Sequence, residues 1–213
     1  MRIITKEQAP QGSEEWLKLR LGVATASNFD KIITSTGKES ATLPKYALEL
    51  ATQYLLTEPE PSYKNEAMQR GNELEPFARQ AYEEANFETV DEISMFLSDC
   101  GNYGASPDGL VGNDGLIEIK CPLATTHFKY LIDNKLPTDY VAQVQGLLWV
   151  SGRKWCDFIS YHPSFIADKQ LLIVRVERDE KFISELEKLV DKVILMRNQN
   201  LKNIGFDPEY KGE

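Results

Sequence analysis

Apolar positions along this chain follow two periods, and the switches between them mark out its elements. Runs rich in β-branched and aromatic residues predict strands at Val90–Ser98, Asn102–Ser106, Leu116–Cys121, Lys154–Tyr161 and Leu171–Glu177. Helical spacing or composition predicts helices over Ser13–Leu21, with Ser13 as N-cap and Gly22 as stop, and over Leu43–Leu56. Ser27-Asn28-Phe29-Asp30 has a capping-box-like pattern and predicts another helix start, while Ser35–Ser40 is polar and predicts a loop. Glu58-Pro59-Glu60-Pro61-Ser62 ends the Leu43 helix. Glu66–Asn86 is helical in composition but holds Gly71 and Pro76, which predict a kink or a second helix beginning at Pro76. Further helices are expected at Ala124–Asp133 and Asp139–Val150. The last, Asp179–Asn200, carries Phe182, Leu186, Leu189, Val193 and Met196 along one face. Strands with helices on either side imply an α/β or α+β sandwich.

Within this pattern, Gly112-Asn113-Asp114-Gly115 is a strong turn signal, so Ser106–Leu110 and Leu116–Lys120 read as a hairpin. Alternation along a strand puts Glu118 and Lys120 on one face and Ile117 and Ile119 on the other. Folding back at the turn brings Asp108 close to Glu118. Two carboxylates and an ammonium then meet, as a divalent-metal site for phosphodiester cleavage requires. Magnesium takes oxygen ligands from one or two carboxylates, substrate phosphate and water. A lysine beside them offsets charge on the phosphorus or positions the water. The plain alternative is a surface hairpin whose Glu and Lys pair across solvent.

Composition narrows the options. A chain of 213 residues, 42% apolar and 27% charged, suits one domain spanning residues 1–213 with a substantial core. No apolar run approaches the roughly 18 residues of a membrane span, and Met1–Glu7 has no signal-peptide core, so a cytoplasmic protein is expected. Cys100, Cys121 and Cys156 are odd in number and far apart, against a disulfide framework, a zinc knuckle or a four-cysteine iron–sulfur cluster. With only His127 and His162, a histidine-rich metal site is also excluded. The net charge of −9 is unusual for a DNA binder, which needs Lys and Arg against phosphate. A basic channel lining inside an acidic exterior, with some acids committed to metal, would soften the conflict, though a lone subunit is not expected to bind tightly without sequence preference.

Three motifs then occur in the order and approximate spacing of one family: Ser106-Pro107-Asp108-Gly109, Glu118-Ile119-Lys120-Cys121-Pro122 and Ala142-Gln143-Val144-Gln145. Trp16 through Ser27, Arg70-Gly71-Asn72-Glu73-Leu74-Glu75 and Val176 through Lys181 match as well. The chain resembles the lambda exonuclease (YqaJ-type viral recombinase) family over nearly its whole length. The resemblance implies a restriction-endonuclease-like PD-(D/E)XK core, a mixed central sheet flanked by helices with the active site on its second and third strands. It implies Asp108, Glu118, Lys120 and Gln143 as catalytic residues, with Glu75 joining Asp108 and Glu118 at the metal. It implies Arg20, Ser27 and Ser106 as the grip on a terminal 5′-phosphate.

Each residue has a blander reading. Glu75 has Glu73, Glu83 and Glu84 for neighbours on a solvated helix, and a proline after it. Gln143 reads equally as a helix-surface amide, Ser27 as a cap, and Arg20 as a surface partner of Glu14 or Glu15. Asp99 is a turn residue before it is a further site acid, and Trp16, Trp149 and Trp155 are core or interface aromatics.

The function implied is magnesium-dependent 5′-to-3′ digestion of double-stranded DNA ends. Mononucleotides are released and a 3′ single strand is left for phage-type recombination. Manganese would substitute and calcium would inhibit. A homotrimeric ring and a single-strand annealing protein as partner are implied too, in the cytoplasm of a bacterial host, phage or prophage encoded. The alternatives are a structure-specific endonuclease on the same core, a catalytically silent DNA-end platform for an annealing protein, and a structural α/β protein with a chance hairpin motif.

Overall fold

The computed structural model of the chain describes residues 1–60 and 66–208. Strand β1 (Arg2–Thr5) opens it, and α1 (Glu14–Leu19) follows, its first turn closed by the Ser13 hydroxyl accepting the Trp16 N–H at 3.2 Å. Gly22, at φ +70°, follows that helix, and both its left-handed backbone and the Tyr54 atoms 2.9 Å from where a Cβ would sit call for glycine. Strand β2 (Ala24–Thr25) runs into a single 3-10 stretch over Ala26–Lys31. The helix expected to start at Ser27 is this stretch. Ser27 sits inside it, Thr25 takes the N-cap position, and the Ser27 hydroxyl accepts instead from Arg20.

Helix α2 (Leu43–Tyr54) and helix α3 (Glu66–Asn86) come next. The proline-rich breaker lies past the end of α2, with Pro61 and Ser62 outside the described residues. No second helix begins at Pro76, since α3 runs through it. Pro76 and Asn72, whose carbonyl loses its intrahelical donor, are both exposed residues, so the lost bond is not sealed in the core. Beyond α3 come β3 (Val90–Asp91), β4 (Ile93–Leu97), β5 (Tyr103–Ala105), β6 (Gly109–Val111) and β7 (Gly115–Lys120). Helices α4 (Ala124–Asp133) and α5 (Val141–Ser151), strands β8 (Trp155–Tyr161) and β9 (Leu171–Glu177), and helix α6 (Glu180–Asn203) complete the order.

The strands form two mixed sheets, β1-β4-β5-β2 and β3-β6-β7-β8-β9. The single strand expected over Val90–Ser98 is therefore two strands that belong to different sheets. β6 and β7 pair antiparallel as the expected hairpin, Val111 opposite Gly115, whereas β7 and β8 pair parallel. A parallel pair needs a crossover, and α4 and α5 supply it.

Both faces of the larger sheet are covered. Ile117, Ile119, Ile159 and Tyr161 pack with Ala78 and Tyr82 of α3. Leu116 and Cys156, on the opposite face, join the main core with Val144 and Leu147 of α5 and Leu186 and Val190 of α6. The alternation that buries Ile117 and Ile119 under α3 thus turns Glu118 and Lys120 toward α5. Among the described residues, no helix is long and apolar enough to cross a membrane.

Candidate active site

Where the hairpin meets α1, α3 and α5, a cleft of about 530 Å³ opens, with Trp16, Arg20, Glu75, Asp108, Glu118, Lys120 and Gln143 in its wall. The hairpin sets its floor. The Asp108 N–H donates to the Ile117 carbonyl at 3.2 Å, and the Asp108 carboxylate accepts the Ile119 N–H at 2.6 Å. The aspartate is thereby held across the strand that carries the glutamate.

Glu118 is almost wholly buried. Its Oε1 accepts from Lys120 Nζ at 2.5 Å and from Gln143 Nε2 at 2.6 Å, while its Oε2 is buried with no hydrogen-bond partner. Gln143 reaches it from the first turn of α5. Gln145, two residues on, faces away and holds the start of α6 through the Glu177 carbonyl and the Asp179 N–H. The Lys120 ammonium lies 5.0 Å from the centre of the Tyr140 ring, a cation–π contact that steadies it beside the carboxylates.

Glu75 projects from α3 and accepts from Arg79 Nη2 at 2.6 Å; Arg79 also donates to the Asp108 carbonyl and pairs with Glu92. Arg79 was not evident as a site residue, although the Glu75–Arg79 spacing of four is a helix-surface pair legible in sequence.

The carboxylates disturb one another. Burial, then the Asp108 charge, pushes Glu118 up to about 8 and Glu75 up to about 7. Burial raises Asp108 against the pull of Lys120. Burial opposes charge on Lys120 as well, but Glu118 and Asp108 outweigh it and hold the ammonium charged.

Among the described residues, no three His, Cys, Asp or Glu side chains stand ready to hold a metal, because Glu118 is turned to Lys120 and Glu75 to Arg79. The donor set nevertheless fits a hard divalent cation. It is all oxygen, and the unpartnered Glu118 Oε2 lacks the ligand that a buried carboxylate oxygen requires. Asp108 and Glu118 form the core pair, and Glu75 would join them on releasing Arg79.

Arg20, Ser27 and Ser106 also come together. The Arg20 guanidinium stacks 4.2 Å from the centre of Trp16 and donates to Ser27 Oγ at 2.8 Å, to Thr25 Oγ1 at 3.2 Å and more distantly to Ser106 Oγ at 3.5 Å. No pair with Glu14 or Glu15 forms; Glu14 is taken by Lys18.

Hydroxyl bookkeeping gives this cluster its sense. Ser106 Oγ accepts from Trp16 Nε1 at 3.1 Å and from Arg20, so its own proton is left to donate outward. Thr25 Oγ1 accepts from Arg20 and Asn28 Nδ2 and lies 3.3 Å from Ser27 Oγ, which itself accepts from Arg20. A guanidinium and two hydroxyls on one wall of the cleft are groups that could bind an anion. Burial lowers the Arg20 pKa to about 10, which leaves it charged at neutral pH.

Trp16 and Thr25 were missed as members of this cluster. Trp16 stands one helical turn before Arg20, the spacing that stacks an indole under a guanidinium. Asp99 is the exposed turn residue expected, 2.6 Å from the N-terminal amine. Trp149 stacks on Tyr103 and Trp155 lies under Arg175, both as packing aromatics.

A mixed sheet with an aspartate just before one strand, Glu-x-Lys on the next and a helix glutamate beside them is the arrangement of a nuclease of the restriction-endonuclease-like fold. The chain belongs to the YqaJ-like viral recombinase domain family, which residues 15–154 match. It is similar to the alkaline exonuclease LHK-Exo of Laribacter hongkongensis, at 38% identity and TM-score 0.83 over 91% of this chain and 96% of that one. The LHK-Exo structure in complex with dAMP matches with TM-score 0.82 at the same 38% identity, over 90% and 96% of the two chains. A phage related exonuclease from Haemophilus somnus 129PT shares the fold at 17% identity, TM-score 0.69, over 85% of this chain and 96% of that one. ExoD of Escherichia coli (strain K12) is 33% identical over 67 residues, 32% of this chain and 76% of that protein.

Proposed function

We propose that this protein is a magnesium-dependent exonuclease that degrades double-stranded DNA from its 5′ ends and releases mononucleotides. The 3′ strand that survives would pass to a single-strand annealing protein. One observation carries the reading. A carboxylate cluster with its lysine and glutamine shares a single cleft with the Arg20 guanidinium and the Ser27 and Ser106 hydroxyls, and no carboxylate pairs with Arg20 among the described residues. A terminal 5′-phosphate at Arg20 would lie in the same cleft as the carboxylates that cut the next phosphodiester. The similarity to an alkaline exonuclease over nearly the full length supports it, and the dAMP complex of that relative is in keeping with a mononucleotide product.

Asp108 and Glu118 would hold the magnesium, with Glu75 assisting; when bound, the ion polarises the phosphoryl oxygen and lowers the pKa of its water. Lys120 presents its ammonium where negative charge grows on the phosphorus, and Gln143 orients the water or a non-bridging oxygen through its amide. Arg20, Ser27 and Ser106 bind the terminal phosphate, and each cut exposes a new one. A homotrimeric ring enclosing the duplex would reconcile an acidic exterior with a basic path. Manganese would replace magnesium. Calcium, larger and looser in geometry, would support binding without turnover.

The test is digestion of end-labelled linear duplex and of closed circular DNA, with and without magnesium, by the native protein and by Asp108→Ala. Magnesium-dependent loss of linear DNA from the 5′ label, abolished in the variant, is expected. Cutting of the closed circle would indicate an endonuclease, and binding without cutting an end-binding platform.

A further inference from the structure

Two guanidiniums in the cleft wall have no carboxylate partner among the described residues. Arg20 docks on the chain entering the catalytic hairpin, at Ser106. Arg70 docks on the chain leaving it, its Nη1 donating to the Cys121 carbonyl at 2.9 Å and the Pro122 carbonyl at 3.1 Å. The other cations here are spent: Lys120 on Glu118, Arg79 on Glu75 and Glu92.

Arg70 projects from the α3 turn before Glu75, is only partly buried, and lines the cleft with Gly71 and Asn72. Two carbonyls at one nitrogen fix the plane of the guanidinium, while the Nε and Nη2 edge is left without a partner among the described residues. An arginine fixed in orientation, uncompensated and facing a substrate cleft is preorganised for a phosphate fork. A residue serving only to tie down the strand exit would have no need of a charge.

We propose that Arg70 contacts an internal phosphodiester of the DNA, separate from the terminal phosphate held at Arg20. The inference rests on the cleft being the DNA site. With Arg20 on the chain entering the hairpin and Arg70 on the chain leaving it, both in the wall of the cleft that holds the carboxylates, a duplex end would be held at two phosphates. Register then depends on the pair of contacts.

The experiment measures affinity for linear 5′-phosphorylated duplex against salt, with calcium replacing magnesium, for the native protein, Arg70→Gln and Arg70→Lys. The glutamine retains a donor for the carbonyls but no charge. Arg70→Gln is expected to bind about tenfold more weakly near 0.1 M salt, with a log–log salt slope shallower by about 0.9. Arg70→Lys keeps the slope. The native preference for 5′-phosphate over 5′-hydroxyl ends persists in both variants, which separates Arg70 from Arg20. An unchanged slope in Arg70→Gln, even with altered turnover or melting temperature, would overturn the proposal.

Should Arg70→Gln fail to fold, Arg70→Lys is tested on duplexes carrying single methylphosphonates. One position at which linkage and variant are non-additive supports the contact, and additivity at every position overturns it. A native protein that neither binds nor digests duplex would defeat the function reading itself, and this inference with it.

Discussion

Removing the Arg20 guanidinium should convert an enzyme that discriminates between DNA ends into one that does not. The residue faces its pocket with a geometry that lysine cannot copy. It is stacked 4.2 Å from the Trp16 centre, and one nitrogen is shared between Ser27 and Thr25. A hydrogen bond to a charged group is worth about 1.5–3 kcal/mol, and a dianionic terminal phosphate draws on the full contact. A 5′-hydroxyl end makes no such bond. Arg20→Ala should therefore lower first-turnover kcat/KM on 5′-phosphate duplex by about 10- to 150-fold, since each factor of ten is about 1.4 kcal/mol. On 5′-hydroxyl duplex the loss should be within a few fold. Single turnover is essential, because every cut on a hydroxyl end leaves a phosphate end behind it.

Arg20→Lys should fall between, keeping charge but losing both fork and stacking. With the guanidinium pKa lowered to about 10 by burial, the native preference should hold from neutral pH upward and decline as pH approaches that value. Equal losses on the two kinds of end, with the ratio preserved in Arg20→Ala, would refute the reasoning and leave Arg20 a packing residue.

Lys120→Ala should cost on the order of two decades in kcat with DNA affinity nearly unchanged, as removal of a transition-state contact does; a loss confined to KM would make it a binding residue. Because metal must displace the protons that Glu118 and Glu75 hold up to about 8 and about 7, divalent-cation affinity should rise with pH through that range. The rise is up to about tenfold per pH unit for each proton displaced, read by calorimetry between about pH 6 and pH 9. Glu118→Gln should flatten it, and a pH-independent native affinity would contradict the crowded-carboxylate picture. Gly146→Ala should destabilise the fold by about 1–3 kcal/mol, because the added Cβ would intrude on the buried Phe29 ring. Thermal melting checks this, and an unchanged midpoint would mean that α5 shifts to make room.

Much of the site could be read from residues close in sequence. The turn at Gly112–Gly115 and strand alternation were enough to bring Asp108 beside Glu118 and to aim Glu118 and Lys120 together, since a hairpin and a period of two are local properties. The amphipathic α6 and the two helices α4 and α5 were legible for the same reason, while their role as a crossover between parallel β7 and β8 was not. Local signals misled where a partner distant in sequence decides. Ser27 looked like a cap, but Arg20 and Thr25 recruit its hydroxyl. Pro76 pointed to a kink or a second helix start, and α3 runs continuously through it with Pro76 exposed. The Val90–Ser98 run divides because Val90 pairs with Val111 in one sheet, while Phe96 pairs with Ile3 and Ala105 in the other.

Periodicity and turn chemistry thus determined which elements form and which faces carry the chemistry. Tertiary packing decided the state of each charge. It buried Glu118 with one oxygen unpartnered, set Arg79 against Glu75, and placed Arg20 and Arg70 on the chain entering and leaving the hairpin. A side chain's charge and direction depend on what burial leaves within a few ångströms of it, and those neighbours come from stretches of chain that no local pattern relates.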